Sequence, residues 1–227
     1  MQAIRLRTEY LKNPLGIDIK NPRLFWNCVD GIKQVAYQVI CKDEYGNLLW
    51  DTGKVSGNTM CVSYQGKPLK SRMRIIWSVR IWDEQDKPGQ WSEEAFFEMG
   101  LFFPEDWKAK WITGKYKVNR KLRYPVDCFK KVFSSGKVKK ARLYATACGL
   151  YHAMLNGKQV GNIIMAPGIT DYRKRVQYQI YDVTDLLIEG DNELTVSLPM
   201  VGIGEAVVYG EFAISMAPGQ NCWCNWS

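Results

Sequence analysis

From Asn21 onward the chain alternates short β-branched or aromatic runs with turn signals, and a helical period is almost nowhere present. Successive side chains on a strand point to opposite faces, so runs of this kind bury one face and wet the other. The clearest is Ile75 to Trp82, where Ile75, Trp77, Val79 and Ile81 fall on one face and Arg74, Ser78 and Arg80 on the other. Val35 to Cys41 repeats the pattern with Val35, Tyr37, Val39 and Cys41. Gly46-Asn47 then turns it into Leu48-Leu49-Trp50, and Leu24-Phe25-Trp26 precedes both. Short strands punctuated this often predict a β-sandwich.

A chain of 227 residues is long for one small sandwich and sufficient for two, each with its own core. The strand pattern stops after Phe96-Phe97, and residues 100–123 mix Pro, Lys, Trp and Gly without a period. It resumes near Cys128 to Phe133 and in Ala141 to Ala147, where Ala141, Leu143, Ala145 and Ala147 alternate with Arg142, Tyr144 and Thr146. Leu150 to Leu155 runs into Asn156-Gly157, the strongest hairpin signal in the chain. Val176 to Tyr181 is a further strand, and Thr184 or Asp185 stands where a short helix would be N-capped. Gly190-Asp191-Asn192 turns into a last strand with Leu194, Val196 and Leu198 inward. The expected organisation is all-β: a first sandwich over 1–100, a linker over 101–127, a second sandwich over 128–198, and an atypical tail over 199–227.

The net charge of +8 is spread along the chain except at Lys115 to Arg123 and at Lys137, Lys139 and Lys140. Neither cluster interleaves with aromatics on one element, so both read as solvated loop charge and no nucleic-acid partner is expected. No apolar leader follows Met1 and no apolar run is long enough to cross a bilayer, which points to a cytoplasmic protein without a membrane partner. Of seven cysteines, Cys28, Cys41, Cys61, Cys128 and Cys148 are scattered within strand-like segments and read as buried free thiols. Cys222-x-Cys224 lacks partners at ligand spacing in a chain with one histidine, so neither metal nor cofactor is expected. That histidine, His152, lies in a strand without a triad pattern around it and reads as structural.

Nine Trp and twelve Tyr suit strands, and also sugar-binding faces. Trp26, Trp50, Trp77 and Trp82 all lie in strands, where core packing accounts for them. Trp107 and Trp111, in the linker, are expected to plug a domain interface rather than form a sugar platform. No substrate-binding residue is singled out. Candidate catalytic carboxylates fail on geometry: Glu93-Glu94 are adjacent, so their side chains diverge, and Asp171 and Asp185 sit in turn and cap contexts. No catalytic residue is assigned.

The second half, a strand, an Asn156-Gly157-Lys158 turn, a strand, then Tyr181-Asp182-Val183-Thr184-Asp185-Leu186-Leu187 and Gly190-x-Asn192, resembles the galactose-binding-like jelly roll of many glycoside hydrolases. More specific is Ala166-Pro167-Gly168-Ile169-Thr170-Asp171-Tyr172-Arg173-Lys174-Arg175-Val176-Gln177-Tyr178-Gln179, which resembles the N-terminal domain of bacterial α-L-rhamnosidases. Pro22-Arg23-Leu24-Phe25-Trp26, Leu49-Trp50-Asp51-Thr52-Gly53-Lys54-Val55, Trp77-Ser78-Val79-Arg80-Ile81-Trp82-Asp83, Trp91-Ser92-Glu93 and Trp107-x-Ala109-x-Trp111-Ile112 are similar to the fibronectin-III-like domain that opens those enzymes. The resemblance covers roughly residues 20 to 198. It implies a fibronectin-III-like sandwich followed by a truncated jelly roll. It also implies a family that hydrolyses terminal α-L-rhamnosides with inversion, using two carboxylic residues on a later helical barrel. This chain does not reach that barrel. The expectation is a non-catalytic N-terminal fragment with a structural or carbohydrate-recognition role toward rhamnose-containing glycans. The alternative is a free-standing carbohydrate-binding or protein-interaction module.

After Leu198 the family continues with Asp-Gly-Trp-Tyr-x-Gly, whereas this chain has Pro199-Met200-Val201-Gly202-Ile203-Gly204-Glu205. In a frame shifted so that each codon takes its last two bases from the first two of the residue printed, Met200 to Glu205 permit Asp-Gly-Trp-Tyr-Arg-Gly. The same shift over Pro218 to Ser227 permits Thr-Gly-Thr-Lys-Leu-Leu-Val-Gln-Leu-Glu. Residues 199–227 are therefore expected to be a frameshifted tail. A jelly roll closed by strands from both ends should then be left with unpaired edges, poor packing after residue 199, and a second domain less stable than the first.

Overall fold

A computed structural model describes residues 1–112 and 126–198, with the backbone of 210–216. Two compact units divide the chain, Met1–Asp106 and Trp107–Ser227. The basic cluster at 115–123, Cys222 and Cys224, and most of the tail lie outside the described residues. Among the described residues no helix is long and apolar enough to cross a membrane.

The first unit has strands β1 (Gln2–Thr8), β2 (Arg23–Val29), β3 (Ala36–Asp43), β4 (Leu48–Asp51), β5 (Val55–Ser56), β6 (Cys61–Ser63), β7 (Arg74–Trp82) and β8 (Ala95–Glu98). One sheet runs β1-β2-β6 and the other β4-β3-β7-β8, with β5 paired to β3. All these pairings are antiparallel, and the two sheets form an immunoglobulin or fibronectin-III-like sandwich. Ile75, Trp77, Val79 and Ile81 of β7 meet Tyr37, Val39 and Cys41 of β3 and Leu24 and Trp26 of β2 in one core. Trp26 Nε1 donates to Gln34 Oε1 at 2.9 Å and Gln34 Nε2 donates to the Thr59 carbonyl at 2.8 Å, so the buried amide is satisfied rather than costly.

β1 lies upstream of Asn21, where the alternating pattern begins. Its period is broken by a register shift between Ile4 and Arg7, with Arg5 at φ 52°. A bulge of that kind moves charged residues out of strict alternation and hides the strand.

The second unit has β9 (Asp127–Ser135), β10 (Ala141–Ala147), β11 (His152–Leu155), β12 (Lys158–Gln159), β13 (Tyr178–Asp182), β14 (Gly190–Leu198) and β15 (Gly210–Met216). Its sheets run β12-β11-β14-β9 and β13-β10-β15. Leu194, Val196 and Leu198 pack with Leu155, Phe133 and the alanines of β10, whose small side chains let the sheets close. β10 differs from expectation in one respect, because all seven of its residues are buried, Arg142, Tyr144 and Thr146 included. Arg142 is held there by an ion pair to Asp182 at 2.8 Å.

Three further expectations change. The turn at Thr184–Leu186 is 3₁₀ and has no side-chain cap; instead Asp182 Oδ1 accepts the Thr184 N–H at 3.1 Å and the Thr184 hydroxyl at 2.6 Å. Of the five described cysteines only Cys41 is buried, while Cys28, Cys61 and Cys148 are half-buried and Cys128, on β9, is exposed. Nor is β10 left with an unpaired edge, since β15 runs antiparallel to it from Ala141↔Met216 to Ala147↔Gly210. Backbone pairing tolerates almost any sequence, so a segment without a sandwich pattern can still supply it.

Candidate functional site

Tyr10, Phe25 and Arg23 form an aromatic platform on the surface of β1 and β2. It starts at a tight turn in which Thr8 and Leu11 exchange backbone hydrogen bonds at 2.9 Å, with Glu9 at φ 48° and Tyr10 at φ 66°. That conformation throws Tyr10 across β2, where its ring stacks on Phe25 at 4.5 Å between centroids and 29° between planes. Tyr10 remains 63% exposed. The Arg23 guanidinium lies 5.0 Å from the Tyr10 ring centroid and 5.8 Å from that of Phe25. Glu9 fixes this arginine: Arg23 Nη2 donates to Oε2 at 2.6 Å, Nε approaches both carboxylate oxygens at 3.2 Å, and the Arg23 backbone N–H donates to Oε1 at 2.6 Å. The hydrogen bonds from Arg23 hold the Glu9 carboxyl below its ordinary pKa of 4.5. Arg5, Arg7 and Asn27 line the cleft beside the platform, together with Met60 and Cys61. An exposed ring flanked by rigid donors can stack on the apolar face of a sugar and meet its hydroxyls.

On the opposite sheet, Arg80 lies between Trp82 and Trp91, 5.0 and 4.9 Å from their centroids, and Lys54 approaches Trp82 at 5.2 Å. Arg80 Nη2 also donates to Gln38 Oε1 at 2.8 Å, which fixes the guanidinium between the two rings. Trp26, Trp77 and Trp82 are buried and Trp50 half-buried against Tyr64, where burial pushes the Tyr64 phenol up to about 12. Trp107 sits edge-on to Tyr178 at 5.1 Å, a contact inside the second unit, and Trp111 is partly exposed.

The carboxylates singled out in the sequence are not brought together. Glu93 and Glu94 are both exposed and border a cleft along β1 with Arg5, Arg7 and Lys12. Asp171 closes its own turn by accepting the Arg173 N–H at 3.3 Å, and Asp185 is exposed. In a third cleft the acid is Asp106, held by Ser71 and the Phe102 and Phe103 N–H groups, and these bonds depress its pKa. None of these three clefts on the first unit is lined by carboxylates from two facing strands. Among the described residues no group of three or more His, Cys, Asp or Glu could hold a metal ion. His152 faces solvent from β11.

Tyr10 and Glu9 had no signal in the sequence, because they precede the first recognisable strand. Asn192 was visible only as a turn residue, yet it is buried and central: Nδ2 reaches Ser135 Oγ at 3.0 Å and the Ile188 and Gly190 carbonyls at 2.8 and 2.9 Å, while Oδ1 accepts from Asn156 Nδ2 at 2.7 Å.

Two antiparallel sandwiches in tandem, the first with an aromatic platform on its surface, define the class of protein: paired β-sandwich domains. The profile of the Rha78A-like, N-terminal immunoglobulin domain matches residues 3–103, and that of the alpha-L-rhamnosidase N-terminal domain matches residues 136–212. An α-L-rhamnosidase of Formosa agariphila is 38% identical over 207 residues, covering 84% of this chain and 22% of the relative. One from Alteromonas sp. strain LOR is 37% identical over 199 residues, covering 80% and 22%. Among solved structures, the α-L-rhamnosidase of Dictyoglumus thermophilum superposes with a TM-score of 0.84 at 34% identity, over 95% of this chain and 27% of that one. That of Aspergillus terreus gives 0.86 at 26% identity, over 100% and 28%. The chain is made of the N-terminal domains of the α-L-rhamnosidase family, and it spans less than a quarter of the length of the curated relatives it matches.

Proposed function

We propose that this chain is the non-catalytic N-terminal part of an α-L-rhamnosidase and does not itself cleave terminal α-L-rhamnosides. The observation that carries this is the coverage: the chain spans 22% of the first curated relative, an α-L-rhamnosidase, and the family profiles matched are both N-terminal. An inverting glycosidase needs two carboxyl groups spaced to admit a water, about 6.5–9.5 Å apart. The acids described above instead serve as turn anchors, ion-pair partners or solvated surface. Incubating the purified chain with an aryl α-L-rhamnoside tests this, and no release of the aryl alcohol is expected.

A second role, recognition of rhamnose-containing glycans, is supported by Tyr10 with Phe25 and the clamped Arg23. Titration with L-rhamnose, followed by chemical-shift changes, should then saturate in the millimolar range typical of a single stacking site, on the order of 4 kcal/mol of binding. Tyr10→Ala should abolish it. Saturation that survives the substitution would remove Tyr10 from the reading.

We also propose that residues 199–227 are read in a shifted frame. What supports this is the departure from the family pattern at Pro199-Met200-Val201-Gly202-Ile203-Gly204-Glu205. Sequencing the DNA tests it: the proposal requires a shifted frame that continues into barrel-encoding sequence, and fails without one.

A further inference from the structure

Between β12 and β13 the chain holds Ile163, Ile164, Met165 and Ile169 out to solvent, 50%, 84%, 68% and 60% exposed. The surrounding backbone is nevertheless pinned to the sandwich. Ala166 is buried and its carbonyl accepts the Tyr151 N–H at 2.8 Å, and Gln179 Nε2 donates to the Pro167 carbonyl at 3.2 Å. At the start of the segment Gly161 passes so close to Tyr181 that a Cβ there would sit 2.4 Å from the ring. A loop held at both sides, displaying three consecutive large apolar side chains, has the character of a contact surface rather than of a slack connection. Its neighbour in sequence is basic: Arg173 and Lys174 share Asp171 at 3.2 and 3.8 Å, and Arg175 adds a third cation against that single carboxylate.

We propose that residues 163–169 dock onto the remainder of an α-L-rhamnosidase chain, the part that the relatives carry outside the stretch matched here. This rests on the reading of the chain as the N-terminal part of such an enzyme. Two observations choose that occupant over any other. More than three quarters of each curated relative lies outside the match, so in them these two domains share a chain with a body several times their size. The apolar segment also falls wholly within residues 136–212, the portion that is specifically rhamnosidase N-terminal domain. The basic flank at 173–175 calls for acidic side chains on the facing surface.

The full chain, immobilised, is offered the portion of the Dictyoglumus thermophilum enzyme that lies outside the matched 27%. Saturable binding is expected, weakened at least about tenfold by Ile164→Asp with Met165→Asp, as for loss of central apolar anchors. Ile32→Asp, at an equally exposed apolar residue of the first unit, should leave it unchanged. Both variants of the isolated chain should melt with the wild type, because the side chains replaced are exposed. Absence of saturable binding to a monodisperse remainder, or equal binding by the loop variant, overturns the proposal. Should the remainder be insoluble alone, a chimaera with this chain in place of the matched stretch is melted instead. The loop variant must then lower its melting temperature, and an unchanged value overturns the proposal. A wild-type dimer that the loop variant dissociates, seen by sedimentation, would assign the surface to a second copy and likewise overturn it. Rhamnoside hydrolysis by the chain itself would defeat the underlying functional reading without altering the binding result, so the two failures are separable.

Discussion

At Asn192 a single amide ties the start of β14 to β9 and to the Asn156 hairpin. Removing it leaves the Ser135 hydroxyl, the Asn156 amide and the Ile188 N–H with lost partners in a buried place. Asn192→Ala should therefore destabilise the second unit by about 3 kcal/mol, read as a shift of its urea-unfolding midpoint. The sequence showed this residue in a turn but not its reach, because Ser135 and Asn156 come from distant parts of the chain. Glu9 gives a pH prediction. Its carboxyl titrates lower in the folded chain than its ordinary 4.5, so its contribution is complete above that value and disappears as pH falls through the depressed one. Comparing wild type with Glu9→Gln by denaturant titration, the stability difference should be constant at neutral pH and shrink on acidification below about pH 4.5. A difference that grows toward acid would contradict the Arg23 clamp.

Among the elements, the hairpin joining β11 to β12 separates backbone strain from steric conflict. Asn156 and Gly157 have φ 53° and 75°, and a Cβ on Gly157 would meet nothing within 4 Å. Gly157→Ala should cost only the left-handed backbone penalty, about 1 kcal/mol. Gly161→Ala must in addition displace the Tyr181 ring, whose hydroxyl is 2.9 Å from that of Tyr151, and should cost about 3 kcal/mol. Equal unfolding midpoints for the two variants would refute the close approach at Gly161. In β3 Tyr37, Val39 and Cys41 are inward as read, but Val35 precedes the strand and Ala36 is buried on the other face. β7 and β14 were readable residue by residue, since one period fixes both the element and its buried face. β1 was not, because its bulge and its arginines break the period. β10 was readable as a strand but not as one buried on both faces, because burial of its polar face depends on neighbours distant in sequence.

For the molecule as a whole, the two sandwiches and their family were legible because turn chemistry, strand period and the segment from Ala166 to Gln179 all pointed the same way. The platform at Tyr10 and the apolar loop at 163–169 were not, since exposure is a property of the folded surface and Ile163, Ile164 and Met165 are three consecutive apolar residues with no period to mark a face. What joins these features is the claim that the chain supports rhamnoside chemistry without performing it. The direct measurement is release of p-nitrophenol from p-nitrophenyl α-L-rhamnopyranoside by the purified full chain at micromolar concentration over a day. Release indistinguishable from the protein-free blank is the predicted result. Saturable release that follows the chain through every purification step would contradict it, and would place a catalytic acid pair in this sequence.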